Sequence, residues 1–162
     1  MPYIRSQSRR CTMCLLLVLL GAILLPSTAF ADATVFVGST NQLAKGVAIG
    51  AGLLVIGFEF EFSDTGQSLE DPSLRTGMGN VLFQTPFPIA GFQLYFTTGT
   101  GIYRERLAPR QETNIGFNTG GGAKISVLGP LRARVDYRVF NLRGEPLRST
   151  VHRVYAGLNV AF

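Results

Sequence analysis

The sequence predicts an all-β fold: an eight-stranded antiparallel up-and-down transmembrane β-barrel after a cleaved signal peptide. Three stretches carry that prediction. In the last twelve residues, Val154, Ala156, Leu158, Val160 and Phe162 are apolar, and Arg153, Tyr155, Gly157, Asn159 and Ala161 fall between them. In Leu54 to Ser63, Ile56, Phe58, Phe60 and Phe62 share one face, and Val55, Gly57, Glu59, Glu61 and Ser63 share the other. In Leu131 to Phe140, Leu131, Ala133, Val135, Tyr137 and Val139 oppose Arg132, Arg134, Asp136 and Arg138. Strict alternation marks a strand whose two faces meet different surroundings.

The 162 residues suit one domain. Nineteen Gly and twelve Phe with no Trp point to a glycine-loosened, aromatic-studded β protein. The amino terminus is different in kind. Arg5, Arg9 and Arg10 form a positive region, Leu15 to Leu25 an apolar core, and Pro26-Ser-Thr28 ends it. Ala29-Phe30-Ala31 fits the small-x-small pattern, so residues 1–31 read as a signal peptide cleaved after Ala31 and residues 32–162 as the barrel domain. The alternative is an uncleaved anchor, for which the core is short. Removing three basic residues lowers the formal charge from +5 to +2. No basic face interleaved with stacking aromatics appears, so no nucleic-acid partner is expected. Cys11 and Cys14 spell C-x-x-C inside the signal peptide. A redox or zinc reading needs a folded context, and the mature chain would hold no cysteine.

The remaining strands follow in order. Ala33 to Ser39 is the first, and Thr40 to Ala44 a short loop. Gly46 to Gly50 is the second, with Ala51-Gly52-Leu53 as its turn. After the Phe-rich third strand, Asp64 to Arg75 is polar and holds Gly66 and Pro72, a loop. Thr76 to Gln84 is the fourth strand, stopped by Pro86 and Pro88. Phe92 to Arg104 is the fifth, Glu105 to Glu112 a loop with Pro109, and Thr113 to Ile125 the sixth. Val127 to Pro130 turns into the seventh, and Asn141 to Arg148 is the last loop. Short turns thus alternate with longer polar loops, as periplasmic turns and outer loops do in outer-membrane barrels.

In a membrane barrel the apolar rows face lipid and the polar rows line the interior. Lipid-facing positions are then Ile56, Phe58, Phe60, Phe62, Val135, Tyr137, Val154, Leu158 and Val160. Glu59, Glu61, Lys124, Arg132, Arg134, Asp136, Arg138 and Arg153 form an interior ionic network. An Arg or Lys facing lipid at the midplane costs roughly 2–4 kcal/mol, so the three bases on strand seven's opposite phase, with Lys124 and Arg153 on its neighbours, belong inside. The network reads as a salt-bridge plug or as an ion-conducting or ligand-binding lumen. Eight strands leave an interior just wide enough for side chains to fill, which favours the plug and small or polar inward residues.

Chemistry is sparse. His152 is the sole histidine, on the lipid-facing phase near the outer rim, and the residue two after it is Val154 rather than Ser. No catalytic residue, metal ligand set or cofactor is expected. Gly116 to Lys124 lacks the Gly-Lys-Ser/Thr of a phosphate loop.

Gly57-Phe-Glu-Phe-Glu-Phe62, Thr98-Gly-Thr-Gly-Ile-Tyr103, Gly116-Phe-Asn-Thr-Gly-Gly-Gly122, Arg132-Ala-Arg-Val-Asp-Tyr-Arg138 and Tyr155-Ala-Gly-Leu-Asn-Val-Ala-Phe162 together resemble the small OmpA/OmpX-type outer-membrane β-barrel domains. The resemblance spans the chain after the signal. It implies a non-enzymatic monomer in the bacterial outer membrane, with a structural or surface-interaction role. It also implies contact with outer-membrane lipid and lipopolysaccharide, and assembly machinery that reads Phe162 as a signal. With nothing after Phe162, a peptidoglycan-tethering role is not expected. Three alternatives stay open: a narrow ion or solute pore; a soluble lipocalin-like barrel binding an apolar ligand, with Phe58, Phe60 and Phe62 turned inward; and a lipid-modifying enzyme. Fold alone does not choose among roles.

Overall fold

A computed structural model describes residues 29–40, 42–68 and 71–162. Most of the predicted signal peptide, with Cys11 and Cys14, lies outside the described residues. Eight strands follow in order: β1 (Ala29–Ser39), β2 (Leu43–Leu53), β3 (Ile56–Thr65), β4 (Ser73–Gln84), β5 (Phe92–Leu107), β6 (Arg110–Leu128), β7 (Leu131–Leu142) and β8 (Thr150–Ala161). Each pairs antiparallel with its neighbour in sequence, and β1 pairs with β8 to close the barrel. Closure leaves no sheet edge with unpaired backbone groups, which a wall in contact with hydrocarbon requires.

Several borders differ from the sequence expectation. β1 starts at Ala29, two residues before the predicted cleavage point. Ala51-Gly52-Leu53 is not a turn but the end of β2, in register with Ile56 to Phe58. The turn is Leu54-Val55, with Leu54 at φ 53°, and its two apolar residues send no compositional signal. Glu105 to Glu112 is not a loop either. β5 and β6 stay paired up to Leu107 and Arg110, leaving Ala108-Pro109 as the tip. The charges there alternate across a strand that continues past the apolar band, so polarity did not mean irregular backbone. Gly116 is the first β6 residue paired with β7, so the β5–β6 hairpin stands clear of β7 at the loop end.

The pleat sends alternate residues in and out. Phe58, Phe60 and Phe62 are 62%, 70% and 55% exposed, while Glu59 and Glu61 are buried. That orientation overturns the lipocalin-like alternative, which needs the Phe row in the core. Val35, Val47, Ile49, Leu94, Phe96, Ile102, Ile115, Val135, Val154 and Leu158 continue the exposed apolar band around the wall. The interior mixes bulky and absent side chains. At Gly122 a Cβ would lie 2.6 Å from the Tyr95 hydroxyl and collide with the Val135 carbonyl, so this glycine makes room for Tyr95 inside a narrow bore.

Candidate functional site

The interior is filled by side chains from all eight strands, and a charged cluster sits at its centre. Glu59 and Glu61 enter from β3, and Arg134, Asp136 and Arg138 from β7 across the lumen. Arg134 Nη1 donates to Glu59 Oε2 (2.5 Å) and its Nη2 to Asp136 Oδ2 (2.9 Å). Arg138 Nη2 donates to Glu59 Oε1 (2.8 Å) and Asp136 Oδ2 (3.0 Å). Its Nη1 lies 2.6 Å from Glu61 Oε2, an ion pair rather than an aligned hydrogen bond. Planar, permanently charged guanidinium groups suit such shared carboxylate contacts better than ammonium groups.

Neutral groups knit the cluster together. Tyr95 Oη donates to Asp136 Oδ2 (2.6 Å) and accepts from Arg134 Nε (2.8 Å). Tyr155 Oη donates to Glu61 Oε1 (2.7 Å) and accepts from Arg153 Nη1 (3.1 Å). Asn80 Nδ2 donates to Glu59 Oε1 (3.4 Å). Arg153 joins through hydroxyls, not carboxylates: it donates to Ser63 Oγ (2.5 Å) and Thr65 Oγ1 (3.3 Å) and lies over the Phe140 ring at 4.6 Å. Lys124 stands apart, paired with Asp32 of β1. Arg132 departs from the expected network. It is half-buried at the end nearer the termini, and its Nη1 donates to Gln93 Oε1 (3.2 Å) instead of joining an ion pair.

Asp32, Tyr95 and Tyr155, with Asn80, Ser63 and Thr65, belong to the network beyond the residues that the sequence predicts for it. Asp32 fell outside a first strand drawn from Ala33. Tyr95 and Tyr155 sit on the inward phase beside Gln93 and Arg153, and phase alone would have found them. With Asp32 included, four buried acids (Asp32, Glu59, Glu61, Asp136) meet four buried bases (Lys124, Arg134, Arg138, Arg153), and a fifth buried acid, Glu105, lies at the loop end.

Above the charges, toward the loop end, the interior turns apolar. Leu74, Met78, Tyr103, Phe140, Leu142 and Val151 form one buried cluster. This corrects the expectation of small or polar inward residues throughout: Phe140 and Leu142 simply continue the arginine phase of β7. The β7–β8 connection folds over this cluster. Tyr103 Oη donates to the Arg143 carbonyl (2.5 Å), Glu105 Oε2 accepts from Leu147 N (2.7 Å), and Arg148 pairs with Asp71 of the β3–β4 loop (2.6 Å). The hollow left beneath, lined by Thr40, Thr65, Leu74, Glu105 and Val151 among others, has only about 30 Å³.

The residues predicted to face lipid all lie on the outer wall. Ile56, Phe58, Phe60, Phe62, Val135, Tyr137, Val154, Leu158 and Val160 are exposed. His152 is also outward, and its Nδ1 hydrogen-bonds the Tyr137 hydroxyl at 2.7 Å. Phe162 follows β8 with its ring exposed, and its backbone exchanges hydrogen bonds with Ala31 (2.8 and 3.0 Å). Among the described residues, no three His, Cys, Asp or Glu side chains are grouped to hold a metal ion.

No family model matches the chain, and no curated protein matches it either. Solved structures do. The N-terminal β-barrel domain of Pseudomonas aeruginosa OprF superposes with a TM-score of 0.65 at 13% identity, over 84% of this chain and 99% of that one. Neisserial surface protein A superposes with a TM-score of 0.62 at 15% identity, over 83% and 96%. The outer membrane enzyme PagL superposes with a TM-score of 0.52 at 12% identity, over 80% and 98%. PagL is an enzyme on this architecture, so the architecture leaves the role open. What the likeness does establish is the fold: residues 29–162 form a small, closed eight-stranded β-barrel of the kind found in outer-membrane proteins.

Proposed function

We propose that the chain is a non-enzymatic, monomeric protein of the bacterial outer membrane, exported by a cleaved signal peptide, with a structural or surface-interaction role and no cofactor. The single observation that carries this reading is the contrast between the two faces of one wall. A continuous apolar band faces out, and an interior filled by paired charges and other side chains is sealed at the loop end by the Leu74–Val151 cluster. An apolar band of this kind is stable against hydrocarbon and unstable against water. The loop end then faces outward into lipopolysaccharide, and the termini face the periplasm, where assembly machinery reads the Phe162 end. His152 bonding a tyrosine hydroxyl rather than a serine supports the non-enzymatic reading.

Electrophoresis tests the placement: the protein should sit in the outer-membrane fraction and shift in mobility on boiling. A soluble protein with no shift would overturn it. The filled bore makes a second prediction. Reconstituted in planar bilayers, the protein should give no channel steps above baseline, because apolar cluster and ionic network both block the axis. Stable steps that change on Arg138→Ala would instead establish a pore.

A further inference from the structure

We infer that the outer wall carries a site for a phosphorylated glycolipid, lipid A, its phosphates held by Arg75, Arg104 and Arg106 and an acyl chain lying over Gly77 and Gly79. The inference rests on the outward orientation of the loop end proposed above. Arg75 of β4 and Arg104 of β5 are direct cross-strand partners, and Arg106 is the next outward residue of β5. Like charges placed opposite one another on a sheet repel. Arg75 has one relief, Asp64 Oδ1 at 3.0 Å. Among the described residues, no carboxylate pairs with Arg104 or Arg106. Three guanidinium groups and one carboxylate leave an excess of two positive charges, which suits the phosphate monoesters of lipid A, each with more than one negative charge, better than a single phosphodiester.

The wall below continues the site. A hollow of about 470 Å³ lies among Asp64, Ser73, Arg75, Arg104, Arg106 and Gln111. A second, of about 380 Å³, shares Arg75 and Arg104 with the first and adds Phe62, Gly77 and Ile102. A third, of about 470 Å³, shares Phe62, Gly77 and Ile102 and runs on past Phe60 and Gly79. The three form one track from a basic rim into the apolar band, the shape of a charged headgroup joined to an acyl chain. β4 makes the track by offering no outward side chain where β3 and β5 offer Phe60, Phe62 and Ile102. A Cβ at Gly77 would meet nothing within 4 Å.

Refolded protein in neutral detergent would be titrated with bisphosphorylated lipid A, with its dephosphorylated form and with phosphatidylglycerol, and binding read by native mass spectrometry. Lipid A should bind, and dephosphorylation or the Arg104→Ser/Arg106→Ser pair should weaken it about tenfold or more. Gly77→Leu should weaken it too, by filling the track at a position with free space. Equal binding of phosphatidylglycerol, or binding unchanged in both variants, would overturn the site. A protein that still shifts on boiling and fractionates with the outer membrane, yet binds no lipid A, would sink this inference and leave the placement standing. A protein found outside that membrane would sink both.

A different observation carries a second inference: the mature chain begins at Phe30, not at Asp32. Phe30 and Ala31 are built into the barrel. Ala31 exchanges both its backbone hydrogen bonds with Phe162, and the Phe30 ring abuts Gly52, with Lys124 Nζ 5.5 Å from its centre. Cleavage after Ala31 would remove all of these. Ser27-Thr28-Ala29 offers the same small-x-small spacing two residues earlier. A signal peptidase would hydrolyse the Ala29–Phe30 amide, water giving its hydroxyl to the Ala29 carbonyl and a proton to the Phe30 nitrogen. Intact mass and amino-terminal sequencing of protein extracted from the outer membrane decide it. Phe-Ala-Asp as the first residues is the expected result. Asp-Ala-Thr, or an unprocessed Met1, overturns it.

Discussion

Arg138→Met is expected to destabilise the folded barrel by about 3–5 kcal/mol, the cost of breaking a buried ion pair from one side. Arg138 is fully buried and touches Glu59, Glu61 and Asp136. Methionine is unbranched like arginine but shorter and smaller, so the loss combines unpaired carboxylates with the space the guanidinium leaves. Arg134 still serves Glu59 and Asp136, but Glu61 keeps only the Tyr155 hydroxyl. Two carboxylates then share one guanidinium and the third has no cation beside it. The measurement is the urea midpoint of the boiling-sensitive mobility shift in detergent. A second change separates charge from shape: Glu61→Gln in the Arg138→Met background should recover part of the loss, since a neutral amide has less need of a counter-ion. A midpoint unmoved by Arg138→Met, or a double variant weaker than the single, would mean that the network does not hold the barrel together.

Deleting Phe162 should have its large effect in the cell and a small one in the tube. In the folded barrel the residue is 79% exposed, so it contributes little buried area. Its backbone makes two hydrogen bonds with Ala31, worth about 1–3 kcal/mol net together. Refolded into detergent, the shortened chain should therefore still shift on boiling. If the terminal strand is recognised by strand addition during assembly, its level in the outer membrane should fall to roughly a tenth of the intact chain's. Quantitative blotting of membrane fractions, beside refolding of the same variant, separates the two effects. Normal membrane levels would show that Phe162 is no assembly signal. Failure in both settings would assign it a structural role instead.

How far the fold could be read from the chain depended on where polarity and pleat agreed. In the middle of β3, β7 and β8 each face has one character, and strand count and phase followed from alternation alone. In β2 the outward residues Val47 and Ile49 oppose Ala48 and Gly50, small rather than polar, so the contrast fades and its length was underestimated. At the loop end the wall leaves the apolar band, its outward residues become polar, and Glu105 to Glu112 reads as a loop although Glu105 still points inward and the strands stay paired up to Leu107 and Arg110. The interior was legible in its charges and not in its apolar part. An inward Phe140 or Leu142 looks no different in sequence from a lipid-facing one until the phase is carried past Arg138. Pairings were beyond reach for another reason: Asp32 with Lys124, or Ser63 with Arg153, joins residues from opposite ends of the chain, and periodicity says nothing about what faces what across a lumen.

The distribution of the buried charges along the chain also bears on how the barrel can close. β1 to β4 bring three buried acids, Asp32, Glu59 and Glu61, and no buried base. β5 to β8 bring four buried bases, Lys124, Arg134, Arg138 and Arg153, with Glu105 and Asp136 as their only buried acids. The molecule is two half-shells of opposite sign. The first half alone presents unpaired buried acids and the second an excess of bases, charges that water must keep solvated, so neither gains by entering hydrocarbon first. Each attracts the other, and the attraction is satisfied only when the first strand meets the last. Half-inserted states are thus penalised from both sides, and dehydration of the bore and sealing of the β1–β8 seam become a single event.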